Sequence, residues 1–217
     1  AVRIASTLSL APLFETHFAG ATARNTFAGI GGMIGWTAAD LAQAGYLGLD
    51  DGIERTFGQI LGSAFDPALF AGRLGEDYLI ERNYFKFHAC GRHGHPALDA
   101  FEAILAERDV TAETLDAVEV ETYFPAARKK ARQVRTSVDA RVSIPYAIAS
   151  RLVVGTTSAR AYTPEARRDP RIQCLMQRIS VSEDPAMTAR QPAQRQARVR
   201  VRLVDGRSIE RRCDTQP

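Results

Sequence analysis

Lysine is almost absent from this chain. Of its 28 basic residues only Lys86, Lys129 and Lys130 are lysines; the rest are arginine. A GC-rich coding sequence accounts for such a bias. The scarcity still draws attention to Lys86, inside the apolar stretch Tyr84-Phe85-Lys86-Phe87, because a lysine titrates readily when buried and an arginine does not. Cysteine is scarce too. Cys90, Cys174 and Cys213 form an odd set without regular spacing, which argues against a disulfide framework and for a reducing, cytoplasmic setting. No apolar run approaches the roughly 18 residues of a membrane span, and no basic start leads into an apolar signal sequence. There is no Gly-x-Ser-x-Gly elbow to support a Ser/His/Asp hydrolase. A net charge of +3 does not by itself imply a nucleic-acid partner.

What is present divides near Asn83. From Phe27 to Ala44 the pattern predicts a helix that is apolar nearly all round, with Asp40 the exception. Such a helix must be buried. Gly29, Gly32 and Gly35 recur along it, each costing about 1 kcal/mol of helix propensity, and the expected return is close approach of a neighbouring backbone. Gly45 and Gly48 end it, and Asp66-Pro67 opens another helical piece. Beyond Asn83 the texture changes. Tyr84 to Cys90 alternates like a strand, and His95-Pro96 opens a helix with Leu98, Phe101, Ile104 and Leu105 on one face. Val118, Val120 and Thr122 alternate with Glu119, Glu121 and Tyr123 as a strand with one wet face. Ser143 caps a helix from Ile144 to Val154, stopped by Gly155. Asp169-Pro170 starts a helix presenting Ile172, Leu175, Met176 and Ile179. Ala197 to Val204 and Ser208 to Cys213 form a hairpin about Asp205-Gly206, while Thr188 to Gln196 reads as a loop. The fold class is therefore mixed α and β: a helical segment over residues 1–82, then an α+β lid-type domain over 83–217 with a small sheet and a C-terminal hairpin.

The densest polar cluster is Lys86, His88, Cys90, Arg92, His93 and His95. On a strand, Lys86, His88 and Cys90 would share one face. The helix opening at Pro96 would bring its N-terminal field near Arg92 and His95, a place that favours anions. A metal site competes for these histidines, but their spacing matches no usual structural zinc pattern, and no metal is expected. Satisfied histidines on a turn are the plain structural alternative. Tyr146, in the first turn of a capped helix, could act as acid or base; a core tyrosine with a bonded hydroxyl is the duller reading. Arg198, Arg200 and Arg202 share a strand face, which could suggest nucleic acid. Pairing with Glu119 and Glu121 across strands is the simpler account, and no aromatics are there for base stacking.

Three segments together resemble the MmgE/PrpD family, which includes 2-methylcitrate dehydratase, cis-aconitate decarboxylase and iminodisuccinate epimerase. Lys86 to Ala100 is similar to the family's Lys-Pro-Tyr-Pro-x-Cys-Arg-x-x-His-Pro-Ala-x-Asp-Ala stretch. Ser143 to Ala149 is similar to its Ser-x-Pro-Tyr-x-x-Ala. Arg24 to Gly48 resembles its Lys-x-x-x-x-Gly helix. The resemblance implies a helical domain plus a smaller lid. It also implies a cofactor-independent lyase, most simply a hydro-lyase of the 2-methylcitrate dehydratase kind, that removes a proton next to a carboxylate of a small polycarboxylate. Decarboxylation, epimerisation, or a non-catalytic structural or interaction remnant are the alternatives. It places Lys86, Tyr146 and His95 in catalysis and Arg24 and Arg92 on substrate carboxylates. It implies a homodimer, with neither nucleic acid nor membrane as partner. The sequence departs from the family pattern at Phe87-His88-Ala89, where Pro-Tyr-Pro is usual, and at Phe27, where a histidine is common. Ala1 reads as an internal start, so the chain is expected to be a fragment lacking the family's N-terminal helical region.

Overall fold

A computed structural model describes residues 1–9 and 13–214. The chain divides into two compact units: Ala1–Phe14 with Thr22–Asn83, and Glu15–Ala21 with Tyr84–Pro217. No described helix is long and apolar enough to cross a membrane.

The first unit is helical. Helix α1 (Val2–Leu8) packs on α2 (Phe27–Gln43); α3 (Gly52–Arg55) continues into a π-helical turn at Thr56–Ile60, and α4 (Pro67–Ala71) follows. The start of α4 is local chemistry: the Asp66 carboxylate accepts from the Ala68 N–H at 2.9 Å, and Pro67 fills the first helical position, where no N–H is needed. The core here is slight. Ile4, Ser6, Ala38, Gly52 and Thr56 are buried, and the Thr56 hydroxyl donates to the Ser6 carbonyl at 3.2 Å. Along α2, Ala38 is buried while Ile30, Met33 and Trp36 are exposed, Trp36 by 75%. The backbone approach expected at Gly29, Gly32 and Gly35 is not made: a Cβ on any of them would meet nothing within 4 Å. The helix forms as its pattern predicts, but the described residues do not cover its apolar surface.

The second unit is mixed α and β. Its elements are α5 (His95–Glu107), β1 (Leu115–Thr122), α6 (Phe124–Ala127), α7 (Ser137–Val142), α8 (Ile144–Val154), α9 (Pro164–Arg168), α10 (Pro170–Met176), β2 (Ile179–Glu183), α11 (Pro185–Ala189), β3 (Ala197–Leu203) and β4 (Ser208–Cys213). The sheet runs β2-β1-β3-β4. β1 is parallel to β2, with Val118 opposite Ile179, and antiparallel to β3, with Val120 opposite Val199. One core gathers Leu98, Phe101 and Ile104 of α5, Ile144 and Ile148 of α8, Ile172 and Met176 of α10, and the inward residues Val118, Val120, Val199 and Val201. The other face of the sheet carries charge. Arg198 pairs with Glu121; Arg200 reaches Glu210 at 2.8 Å and Glu119 at 3.4 Å; Arg202 meets Asp116 at 2.5 Å. The cross-strand pairing expected of this face is present.

Two glycines are fixed by geometry. Gly155 closes α8 at φ 79°, the left-handed conformation a helix C-terminus favours. Gly20 has φ 63°, and the Asp139 carboxylate occupies the space a Cβ would need. That carboxylate also closes a capping box with Thr136 at the start of α7, and the Thr136 hydroxyl donates to the Gly20 carbonyl at 2.9 Å. Residues 15–21 thereby dock onto the second unit.

Two elements differ from expectation. Tyr84 to Cys90 is not a strand. Its alternation has no ladder partner, and its backbone bonds to loop and helix ends instead: the Ala89 N–H donates to the Thr157 carbonyl at 2.9 Å, and the Gly91 N–H to the Arg141 carbonyl. Ile179, expected on the α10 helix face, instead opens β2, because its partner Val118 lies in β1, a pairing no local pattern reveals.

Candidate functional site

The irregular segment 84–94 places its side chains in two groups. The first surrounds His95, the opening residue of α5. His95 is 3% exposed, and its ring centroid lies 5.1 Å from that of His88. One ring nitrogen donates to the Cys90 backbone. Nε2 is buried and has no hydrogen-bond partner among the described residues, so the donor is Nδ1 and Nε2 carries the lone pair. Burial, then the charge of His88, lowers the His95 pKa, and Lys86 pushes the same way. His95 is thus held as a neutral base.

His88 is itself fully engaged. Its Nε2 lies 2.8 Å from Asp99 Oδ1 and its Nδ1 2.8 Å from Thr157 Oγ1. A carboxylate can only accept, so Nε2 carries a hydrogen and Asp99 orients the ring. Asp99 follows His95 by one turn of α5, which sets it beside both histidines. Lys86 is exposed, as are Phe85 and Phe87 on either side. The attention drawn to it as a buried lysine is therefore corrected: the buried one is Lys129, 4% exposed, with Nζ 3.9 Å from the Phe18 ring centroid. The charge of Lys86 still bears on His95 and on Cys90. Cys90 is a protonated thiol, pushed up to about 12 by burial.

The second group surrounds His93, whose Nδ1 lies 2.7 Å from the Tyr123 hydroxyl. Burial lowers the His93 pKa to about 4, helped by the charges of Lys129, Arg195, His17 and Arg92. The Arg92 guanidinium stacks over the Tyr84 ring at 3.9 Å. Arg92 and His95 thus answer to different neighbours, although three residues separate them. Arg24 belongs to the first unit, exposed on the short helix Thr22–Thr26, and its assignment rests on the resemblance alone.

Tyr146 is fully buried in α8. Its N–H is capped by Ser143 Oγ at 3.0 Å, and its hydroxyl donates to the Ala161 carbonyl at 2.7 Å. Burial pushes its pKa up to about 12, so it can donate a proton but not serve as a base near neutrality. Its ring meets Tyr162, which bonds the Cys90 thiol. Tyr146→Phe is expected to cost about 1–3 kcal/mol of stability, since it strands a buried carbonyl; thermal unfolding measures that cost. A fall in kcat/KM of orders of magnitude beyond it would keep Tyr146 as a proton donor. The two motif segments do meet, along a narrow crevice lined by Cys90, Gly91 and Gly94 from one and Ser143, Ile144 and Ala147 from the other, with Lys129 and Arg141. Neither Lys86 nor Tyr146 lines it.

Residues 88–217 match the MmgE/PrpD C-terminal domain. The chain belongs to the MmgE/PrpD family. No curated protein matches it. In this MmgE/PrpD chain the departure at His88 matters, because a residue outside the family motif links Asp99 of that motif to Thr157. Sequence reasoning did not single out Thr157. It lies 69 positions from His88, and nothing local marks a threonine just past a helix end as a partner.

Proposed function

We propose that this MmgE/PrpD protein is a cofactor-independent lyase that acts on a small polycarboxylate by removing a proton next to a carboxylate, with dehydration of a 2-methylcitrate-like substrate as the reaction. The observation that carries the proposal is the His95 Nε2 lone pair, buried and without a partner, held neutral within reach of the Lys86 charge. A base of this kind takes the proton, and the Lys86 ammonium steadies the enolate-like anion that follows. Lys86 is the stabilising cation, His95 the base, and Arg92 a carboxylate ligand whose planar fork suits paired contacts. Tyr146 enters as a proton donor on condition that its hydroxyl leaves Ala161. Decarboxylation or epimerisation would use the same base and cation and differ only in the fate of the anion.

The test is an NMR screen of the full-length protein against 2-methylcitrate, citrate, cis-aconitate and iminodisuccinate, with and without a strong chelator. Turnover of one or more, undiminished by chelation, is the expected result. No turnover would leave a non-catalytic family remnant as the better reading, and loss on chelation would point to a metal at His88 and Cys90. The same proposal places the protein in the cytoplasm as a homodimer, in which a second copy covers Ile30, Met33 and Trp36. Light scattering that showed only a monomer, with no binding of an apolar dye, would remove the dimer.

A further inference from the structure

Resting on the polycarboxylate reading, we infer that the group of side chains around His93 is an anion-binding site, in which Arg195 holds a substrate carboxylate beside Arg92. Three stretches far apart in sequence build it. Arg92 and His93 stand just ahead of α5. Tyr123 follows β1 and is buried, and Lys129 comes just after α6. Arg195 leads into β3. The sheet register brings the last stretch to the second: Thr122 stands opposite Ala197, and the Thr122 hydroxyl donates to the Gln196 carbonyl at 2.6 Å. Tyr123 and Arg195, the next residues outward from that tie, therefore leave the sheet at the same end. His93 Nδ1, 2.7 Å from the Tyr123 hydroxyl, joins the first stretch to them.

The charges that act on this pair have one sign. Lys129, Arg195, His17 and Arg92 all bear on His93, and Arg195 and Arg92 bear on Tyr123. No carboxylate is among them. Gathering like charges where water is partly excluded costs free energy, and a bound anion offsets that cost. The arginines a few residues further on are satisfied differently: Arg198, Arg200 and Arg202 each meet a carboxylate. Arg195 Nε is buried and bonds nothing among the described residues. Arg92, His93 and Arg195 are only half-buried as whole side chains, so the group keeps contact with solvent. Arg92 stacks its face on Tyr84, and a guanidinium donates from its edge, in the plane of the fork. His93 is neutral near pH 7, so the His93–Tyr123 pair adds hydrogen bonding without charge. Two guanidinium forks and an ammonium match a ligand with two or three carboxylates better than one with a single carboxylate.

Titration calorimetry of the full-length protein with citrate, acetate and inorganic phosphate tests the site without turnover. Citrate should bind, and acetate about 10-fold or more weakly. Arg195→Gln should weaken citrate about 10- to 100-fold, the range for one charge-assisted contact. Arg195→Lys keeps the charge and loses the fork, and should fall between the two. Arg200→Gln removes the same charge from the sheet face and should bind citrate as wild type does. Histidine NMR gives a readout that a merely structural arginine would not move. Citrate should shift the His93 titration to higher pH, because an anion offsets the cations that hold its proton off, and the shift should shrink in Arg195→Gln. Citrate bound equally well by wild type and Arg195→Gln, or bound without change at His93, would overturn the site and leave the proposed reaction standing. Phosphate bound more tightly than citrate would overturn the polycarboxylate assignment. Absence of citrate binding would overturn the site as well, and turnover in the screen of the four acids then reports separately on the reaction.

Discussion

Lys86→Ala in the full-length protein should lower kcat/KM by about two to three orders of magnitude, the usual cost of removing one preorganised charge from a developing anion. Stability should stay within about 0.5 kcal/mol of wild type, because substitutions at exposed positions seldom exceed that and Lys86 is exposed. The two effects come apart because the ammonium reaches the site by charge and not by packing: it disfavours a proton on His95 and favours loss of one from Cys90. The flanking Phe85 and Phe87 are exposed as well, so deleting the lysine stem opens no cavity. Steady-state kinetics beside a thermal melt decides the matter. Unchanged kcat/KM would return Lys86 to an ordinary surface lysine.

His95→Asn should lower kcat by about 10² to 10⁴, the range for loss of a general base. Asparagine can place its amide N–H close to where Nδ1–H stands, and so keep the bond to the Cys90 backbone, while removing Nε2. The pH profile carries its own prediction. Burial, His88 and Lys86 lower the His95 pKa below 6.5; the Cys90 backbone bond and the Asp99 charge oppose them without prevailing. The acid limb of kcat/KM should therefore fall below that of an ordinary imidazole, and a limb at or above 6.5 would count against His95 as the base. Stability follows the same sign. His93 binds a proton near 6.5 when unfolded but only near 4 when folded, so the folded state takes up fewer protons between those values. The stabilisation from a neutral His93 is fully present above pH 6.5 and lost as pH falls toward 4. Denaturant melts across that window measure it.

Much of the second unit was legible because its signals are local. Ser143, Pro145 and Gly155 mark α8 by capping, ring geometry and a left-handed stop, all within the helix's own residues. Asp205-Gly206 marks the hairpin for the same reason, with Gly206 at φ 86°. The failures are long-range. The alternation of Tyr84 to Cys90 mimics a strand, but a strand needs a neighbour, and the backbone there bonds Thr157 and Arg141 instead. Among the candidate residues, His95 stands out in the sequence by its setting before Pro-Ala. The links of His88 to Asp99 and Thr157 needed the fold, since only the path of the chain after α8 carries residue 157 back to residue 88.

The ion pairs on the sheet's solvent face have a consequence for how the protein behaves in concentrated solution. β4 lies at one edge of the sheet among the described residues, and an open edge is a template for a strand from another molecule. Within its six residues β4 carries Glu210, Arg211 and Arg212, and Arg200 and Glu107 on neighbouring elements are paired to it. A foreign strand docking there would have to strip water from these charges and break their pairings. The ladder therefore discourages edge-to-edge aggregation along β4.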